Sequence, residues 1–257
     1  MKSIKTVVLL HGFGETSEIW DIIKPYFSFE YQYITLDYSR ISFCQTIEEY
    51  ADWLYSEIEQ LKIQRFVLIG HSMGGYIALA FAEKYKPYLA GLGLFHSSAF
   101  ADSDERKDTW LKTITFIEKH GSAEFIADFL PKMYADDFRK KNEIYIQKQL
   151  VDNQLLPAKA LIVATEAMRM RPDRTAILKN FDEPILMIIG MKDKFISYQA
   201  SLKQLSFPKN PYIFILAHVA HAGMVEAPEV CAAAINMFLI QCLEWDFERN
   251  VVFLNQV

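Results

Sequence analysis

The chain alternates short apolar runs with longer segments whose apolar residues recur every three or four positions. Thr6-Val7-Val8-Leu9-Leu10 is a β-branched run that stops at His11-Gly12, and Tyr31 to Leu36, Phe66 to Ile69 and Leu89 to Phe95 repeat the pattern. Between them Ile47, Tyr50, Ala51, Leu54, Ile58 and Leu61 fall on one helical face, Met73 to Tyr85 reads as a second helix, and Trp20 to Phe27 as a brief one. Strands that are apolar throughout are buried on both faces, which predicts a mostly parallel sheet with helices on both sides.

From Ala99 the pattern changes. Residues 99–178 hold four helical stretches and no strand. Asp102 and Glu105 suggest a capping box for the first, Ser122 a cap for the second, Asp137 the start of the third, and Pro157 the first turn of the fourth. Strands at Pro184 to Ile189 and Tyr212 to Leu216 then alternate with helices at Tyr198 to Leu205 and Pro228 to Leu243. The tail, Glu244 to Val257, is amphipathic, and Val251 to Leu254 suits a docked extended segment. The expected organisation is an α/β core, residues 1–98 and 179–257, interrupted by an all-helical insertion at 99–178.

Composition narrows the class. With 51% hydrophobic and 23% charged residues in 257, the chain is globular and disorder is excluded. A net charge of -5 and a pI near 5.7 argue against a nucleic-acid partner, because phosphates need clustered basic surface. The insertion carries 13 acidic and 13 basic side chains, so the net charge belongs to the core. The run Val7 to Leu10 is too short for a secretory signal, and Ala227 to Cys242, interrupted by Glu229, reads as a buried helix rather than a membrane span. Cys44, Cys231 and Cys242 show no CxxC spacing and are expected to be reduced, buried thiols of a cytoplasmic protein.

Glycine is scarce, ten in the whole chain against about 7% in average usage. Seven of the ten fall in four short motifs. The sharpest is Gly70-His71-Ser72-Met73-Gly74-Gly75, a G-x-S-x-G between a buried strand and a helix, where a serine on a tight turn projects above the sheet. A weakly acidic hydroxyl needs a base and an orienting acid. Asp193, just after a strand in Gly190-Met191-Lys192-Asp193, and His221, in His221-Ala222-Gly223-Met224-Val225-Glu226-Ala227-Pro228-Glu229, follow Ser72 in the chain order such a triad takes. His218 competes with His221, which stands at the better distance from the next helix. A tetrahedral intermediate also needs two aimed donors, and the amides of Phe13, in His11-Gly12-Phe13-Gly14, and Met73 would supply them. His11, Gly12, His71, His96, Trp110 and Met224 are candidate pocket residues, with His11 and His71 expected to brace loops rather than transfer protons.

These motifs resemble those of the α/β-hydrolase superfamily across nearly the whole chain. The insertion, placed between the sixth and seventh core strands of that fold, resembles the four-helix lid of small carboxylesterases. The resemblance implies a serine hydrolase acting on a small acyl substrate without metal or cofactor. Ser72 argues against the haloalkane dehalogenases, which use aspartate there. One departure is Asp37-Tyr38-Ser39-Arg40-Ile41-Ser42, where many relatives carry a glycine-rich loop; Arg40 there would meet a substrate carboxylate or simply be solvated. Carbon–carbon bond hydrolysis or cofactor-free lyase chemistry on the same triad, and a ligand receptor on a hydrolase scaffold, are the alternatives.

Overall fold

The structure, a computed structural model, describes residues 4–254, with side chains for 4–247. Thr6–Leu10 forms β1, Gln32–Leu36 β2, Phe66–His71 β3, Leu89–Phe95 β4, Ile185–Gly190 β5 and Pro211–Leu216 β6. They make one sheet in the order β2-β1-β3-β4-β5-β6, and every neighbouring pair is parallel. β3, β4 and β5 are buried along their whole length, as their unbroken apolar runs predict, whereas edge strand β6 alternates between exposed and half-buried positions. Because all strands run the same way, their carboxyl ends line one edge of the sheet, where open α/β sheets build their sites. β1 and β3 pair with Leu10 opposite Gly70, so the chain leaves the sheet side by side at His11 and Ser72.

Helix α1, Ile47–Gln60, is capped by Thr46, whose side chain accepts from the Glu49 amide. Helix α2, Met73–Tyr85, is buried from Met73 to Ala82. The expected brief helix at Trp20 to Phe27 is instead two short 3-10 turns, Ser17–Trp20 and Lys24–Tyr26, the second holding Pro25.

The helical insertion lies between β4 and β5, after the four strands and before the two that the apolar runs predict. It comprises α3 (Asp104–Phe129), α4 (Asp136–Lys141), α5 (Glu143–Asn153), α6 (Ala158–Met170) and α7 (Thr175–Asn180). Gly121, at φ 86°, breaks α3 just before Ser122, so the first two expected helices are halves of one kinked element. The third is split at Asn142. The expected capping box is absent: Ser103 caps α3 by accepting from the Arg106 amide, while Asp102 is taken by other partners. Asp102 accepts two bonds from the Arg171 guanidinium, at 2.6 and 2.8 Å, and one from the Trp110 indole at 2.8 Å. Arg171 also lies over the Tyr76 ring, 3.9 Å from its centroid, so this cluster fastens the insertion to α2. The two ends of the insertion meet where the Arg174 amide donates to the Ala99 carbonyl at 2.7 Å.

After β5 come α8 (Tyr198–Gln204), α9 (Gly223–Glu226) and α10 (Pro228–Leu254). The tail is helical to Leu254 and not extended; no glycine or proline follows Pro228, so nothing stops propagation. Residues 255–257 lie outside the described ones. The segment Pro228–Phe247 has the length and composition to cross a membrane, with a mean hydropathy of 1.3. Its Cys231, Ala234, Ile235, Phe238, Leu239 and Cys242 are buried in the core, as a helix packed on β4 and β5 requires.

Candidate active site

Ser72 sits between the last residue of β3 and the first of α2, at φ 49° and ψ −114°, a strained backbone for a residue with a Cβ. The surroundings hold it there. Its amide donates to the Phe95 carbonyl at 2.9 Å, and its own carbonyl accepts from the Gly75 amide at 2.9 Å and the Ser97 hydroxyl at 2.7 Å. The flanking glycines are required by close approach: a Cβ on Gly70 would stand 2.1 Å from the Gly74 carbonyl oxygen, and one on Gly74 2.6 Å from that of His11.

Asp193 follows β5 and divides its two oxygens. Oδ1 accepts from the amides of Phe195 and Ile196, at 2.7 and 3.0 Å, and thereby shapes the turn. Oδ2 accepts from His221 Nδ1 at 2.7 Å. Burial alone would push this carboxyl up, but the charge and hydrogen bond of His221, with smaller help from His96 and the Ile196 amide, hold it below the ordinary aspartate value. With Nδ1 donating, His221 presents Nε2 as its basic nitrogen. The His221 ring lies 4.9 Å from that of His71, the residue before Ser72, whereas His218 is exposed and makes no such pair. The structure thus brings Asp193 and His221 together beside the Ser72 turn.

The loop carrying His221 is fixed by the insertion. The His221 amide donates to the Met133 carbonyl at 2.8 Å. Glu226 accepts from the amides of Ala220 and Ala222 on either side of His221, at 3.0 and 3.3 Å, and from Ala135 of the insertion at 2.9 Å. Burial pushes the Glu226 carboxyl up despite these three donors. The sequence marks Glu226 only by its place in the His221 motif, five residues on.

The loop after β1 is held as tightly. The Gly12 amide donates to Glu15 Oε2 at 2.8 Å. His11 donates from Nδ1 to the Gly12 carbonyl at 2.8 Å and accepts at Nε2 from the Tyr38 amide at 3.1 Å, while the Tyr38 hydroxyl donates to the His11 carbonyl. Tyr38, within the departing segment 37–42, is therefore a brace for this loop. Neither the Phe13 nor the Met73 amide donates to another group among the described residues. Both residues line a narrow cleft with a free volume of only about 10 Å³, walled on the other side by Leu156, Ala160, Leu161 and Ala164 of the insertion.

Of the six candidate pocket residues, His11 and Gly12 line this cleft. His71 and His96 lie beneath it, because strand-end residues that precede a turn point back into the packed edge of the sheet; both are buried. His96, at φ 47°, accepts at Nδ1 from the Gly190 amide at 3.0 Å, and burial holds its imidazole well below the usual range, hence neutral. Trp110 packs edge-on against Phe13 at 6.1 Å, behind the cleft wall, and Met224 is fully buried in α9. Arg40 reaches the Leu155 carbonyl at 3.4 Å and stays exposed. Cys44, Cys231 and Cys242 are buried free thiols, and burial pushes the first two up to about 11 and about 12. No group of three or more His, Cys, Asp or Glu side chains among the described residues is arranged to hold a metal ion.

The geometry agrees with comparisons to known proteins. An uncharacterized hydrolase, YugF, of Bacillus subtilis (strain 168) is 22% identical over 91% of this chain and 90% of its own length. The pimeloyl-[acyl-carrier protein] methyl ester esterase of Shewanella woodyi is 25% identical over 82% of this chain and 88% of its own. Among solved structures, a thermophilic esterase from Thermogutta terrifontis superposes with a TM-score of 0.87 at 25% identity, covering 94% of this chain and 92% of the other. The model of the alpha/beta hydrolase family matches residues 7–234. The chain is a hydrolytic enzyme of the alpha/beta hydrolase family.

Proposed function

We propose that the chain is a serine hydrolase that cleaves small or medium acyl esters through an acyl-enzyme on Ser72. The observation that carries this reading is the buried 2.7 Å Asp193–His221 pair set beside a serine on a strained, glycine-flanked turn. His221 Nε2 takes the Ser72 proton as Oγ attacks the ester carbonyl, and the amides of Phe13 and Met73 receive the developing oxyanion. The imidazolium then gives its proton to the departing alkoxide. Water, deprotonated by His221, attacks the acyl-enzyme, and Ser72 Oγ leaves with the proton restored. Asp193, kept ionised, holds one imidazole tautomer throughout.

The helical insertion serves as a lid. Leu156, Ala160, Leu161 and Ala164 give the cleft an apolar wall suited to an acyl chain, and its narrowness favours soluble esters over lipid interfaces. The similarity to a methyl ester esterase supports an ester with a small leaving group. Buried, reduced thiols support a cytoplasmic setting. Turnover of short p-nitrophenyl esters tests the proposal: the wild type should hydrolyse them and react at Ser72 with a fluorophosphonate, and Ser72→Ala should lose both by a factor of at least about 10³. A wild type inert to both reagents overturns it.

A further inference from the structure

His71 and Glu15 are a deeply buried titratable pair in the site, and the proposed acyl transfer assigns them no step. Glu15 follows the glycine loop after β1, and His71 immediately precedes Ser72. Their side chains are 3% and 0% exposed. His71 Nδ1 lies 2.9 Å from Glu15 Oε2, and His71 Nε2 lies 2.7 Å from the main-chain carbonyl of His221. A carbonyl oxygen only accepts, so Nε2 must carry a proton. Glu15 Oε2 already accepts from the Gly12 amide, so the proton shared with Nδ1 resides most favourably on the imidazole. Both ring nitrogens of His71 are then donors, and the ring is a cation facing a carboxylate.

We infer that Glu15 and His71 form an ionised pair under the Ser72 turn that ties the oxyanion-side loop to the loop carrying His221, and that both are positioning residues for acyl transfer. The tie runs through three hydrogen bonds, from the Gly12 amide to Glu15, from His71 to Glu15, and from His71 to the His221 carbonyl. It crosses beneath Ser72, so one rigid brace sets the separation between the loop that would receive the oxyanion and the base that would move the proton. Other charged or titratable groups also face it. Asp193 and His221 lie on one side, His11 acts on Glu15, as do the phenols of Tyr38, Tyr134 and Tyr145, and the neutral His96 ring stands 6.2 Å from His71. Burial opposes both charges, but each partner's charge and hydrogen bond prevails, holding Glu15 below and His71 above their ordinary values.

The inference rests on the serine-hydrolase reading for its functional half, while the ionisation is readable without activity. In full-length protein labelled with 15N-histidine, the His71 resonances, assigned with a His71→Asn variant, should show both nitrogens protonated at pH 7.5. In Glu15→Gln the same ring should turn neutral, with Nε2 protonated and Nδ1 accepting from the new amide. A neutral His71 in the wild type overturns the ion pair; that spectrum needs no variant other than the one used for assignment, and sequential backbone assignment replaces it if His71→Asn does not fold. On p-nitrophenyl esters Glu15→Gln should lower kcat at least tenfold with KM within twofold. A variant with neutral His71 and unchanged kcat overturns the positioning role, whereas a wild type inert on every ester defeats the hydrolase reading and leaves the spectroscopic result standing.

Discussion

Asp193 spends one oxygen on its own turn and one on His221, so its ionised form is bound to the fold from both sides. Its carboxyl is depressed in the folded state, so the stability it contributes is present above the unfolded value of about 4 and is lost as pH falls through the folded value. Asp193→Asn should therefore lower Tm at neutral pH, and the gap from the wild type should narrow as pH falls below about 4, where the wild-type carboxylate becomes protonated. Calorimetry across that range checks the sign; a gap that widens toward acid would contradict it. At this scale the sequence was most legible. Ser72, Asp193 and His221 are marked by glycines and by chain order, both consequences of a backbone that must turn sharply at strand ends. Glu15 and Glu226 carry no such mark, because what makes them matter is which main-chain amides the fold brings to their carboxylates.

Two of the contacts that seat the helical insertion on the core are readily tested. Arg171 and Asp102 form a bidentate pair whose side chains are 5% and 11% exposed, with the Tyr76 face closing over the guanidinium. Truncating one partner strands the other's charge, so Arg171→Ala should cost about 3–5 kcal/mol in urea denaturation. Replacing both by apolar residues of similar volume should recover most of that loss. Glu226 acts at the opposite end, joining Ala135 to the amides around His221. Glu226→Gln points an amide N–H at one of these donors, so kcat on short esters should fall about tenfold with KM nearly unchanged. An equal rise in KM would mean that substrate binding and not placement of the base had been disturbed. Strands were easy to read at this scale because buried parallel strands are apolar throughout. The insertion was harder: a kink at Gly121 leaves helical periodicity intact on both sides, and Asp102 looks like a cap until Arg171, 69 residues away, is seen to claim it.

At the scale of the whole molecule, parallel topology gathers the strand ends at one edge, and Leu156, Ala160, Leu161 and Ala164 of the insertion wall a cleft beside the loops after β1 and β3. The cleft is narrow, so activity on p-nitrophenyl esters should peak at short to medium acyl groups and fall for acyl chains much longer than these. Equal or higher rates on emulsified triglyceride would contradict this preference. The fold class and the six described strands were both readable from the alternation of apolar runs, because each run is a strand packed against its neighbours in the sheet.

The meeting of Ala99 and Arg174 across one hydrogen bond has a consequence for variation in the insertion. An inserted segment whose ends already touch can be lengthened, shortened or exchanged at small entropic cost, because closure of the gap does not depend on what fills it. The exchange is not unconditional. Any replacement segment must offer a main-chain carbonyl where Met133 now receives the His221 amide, so freedom in length comes with one fixed obligation to the loop that carries His221.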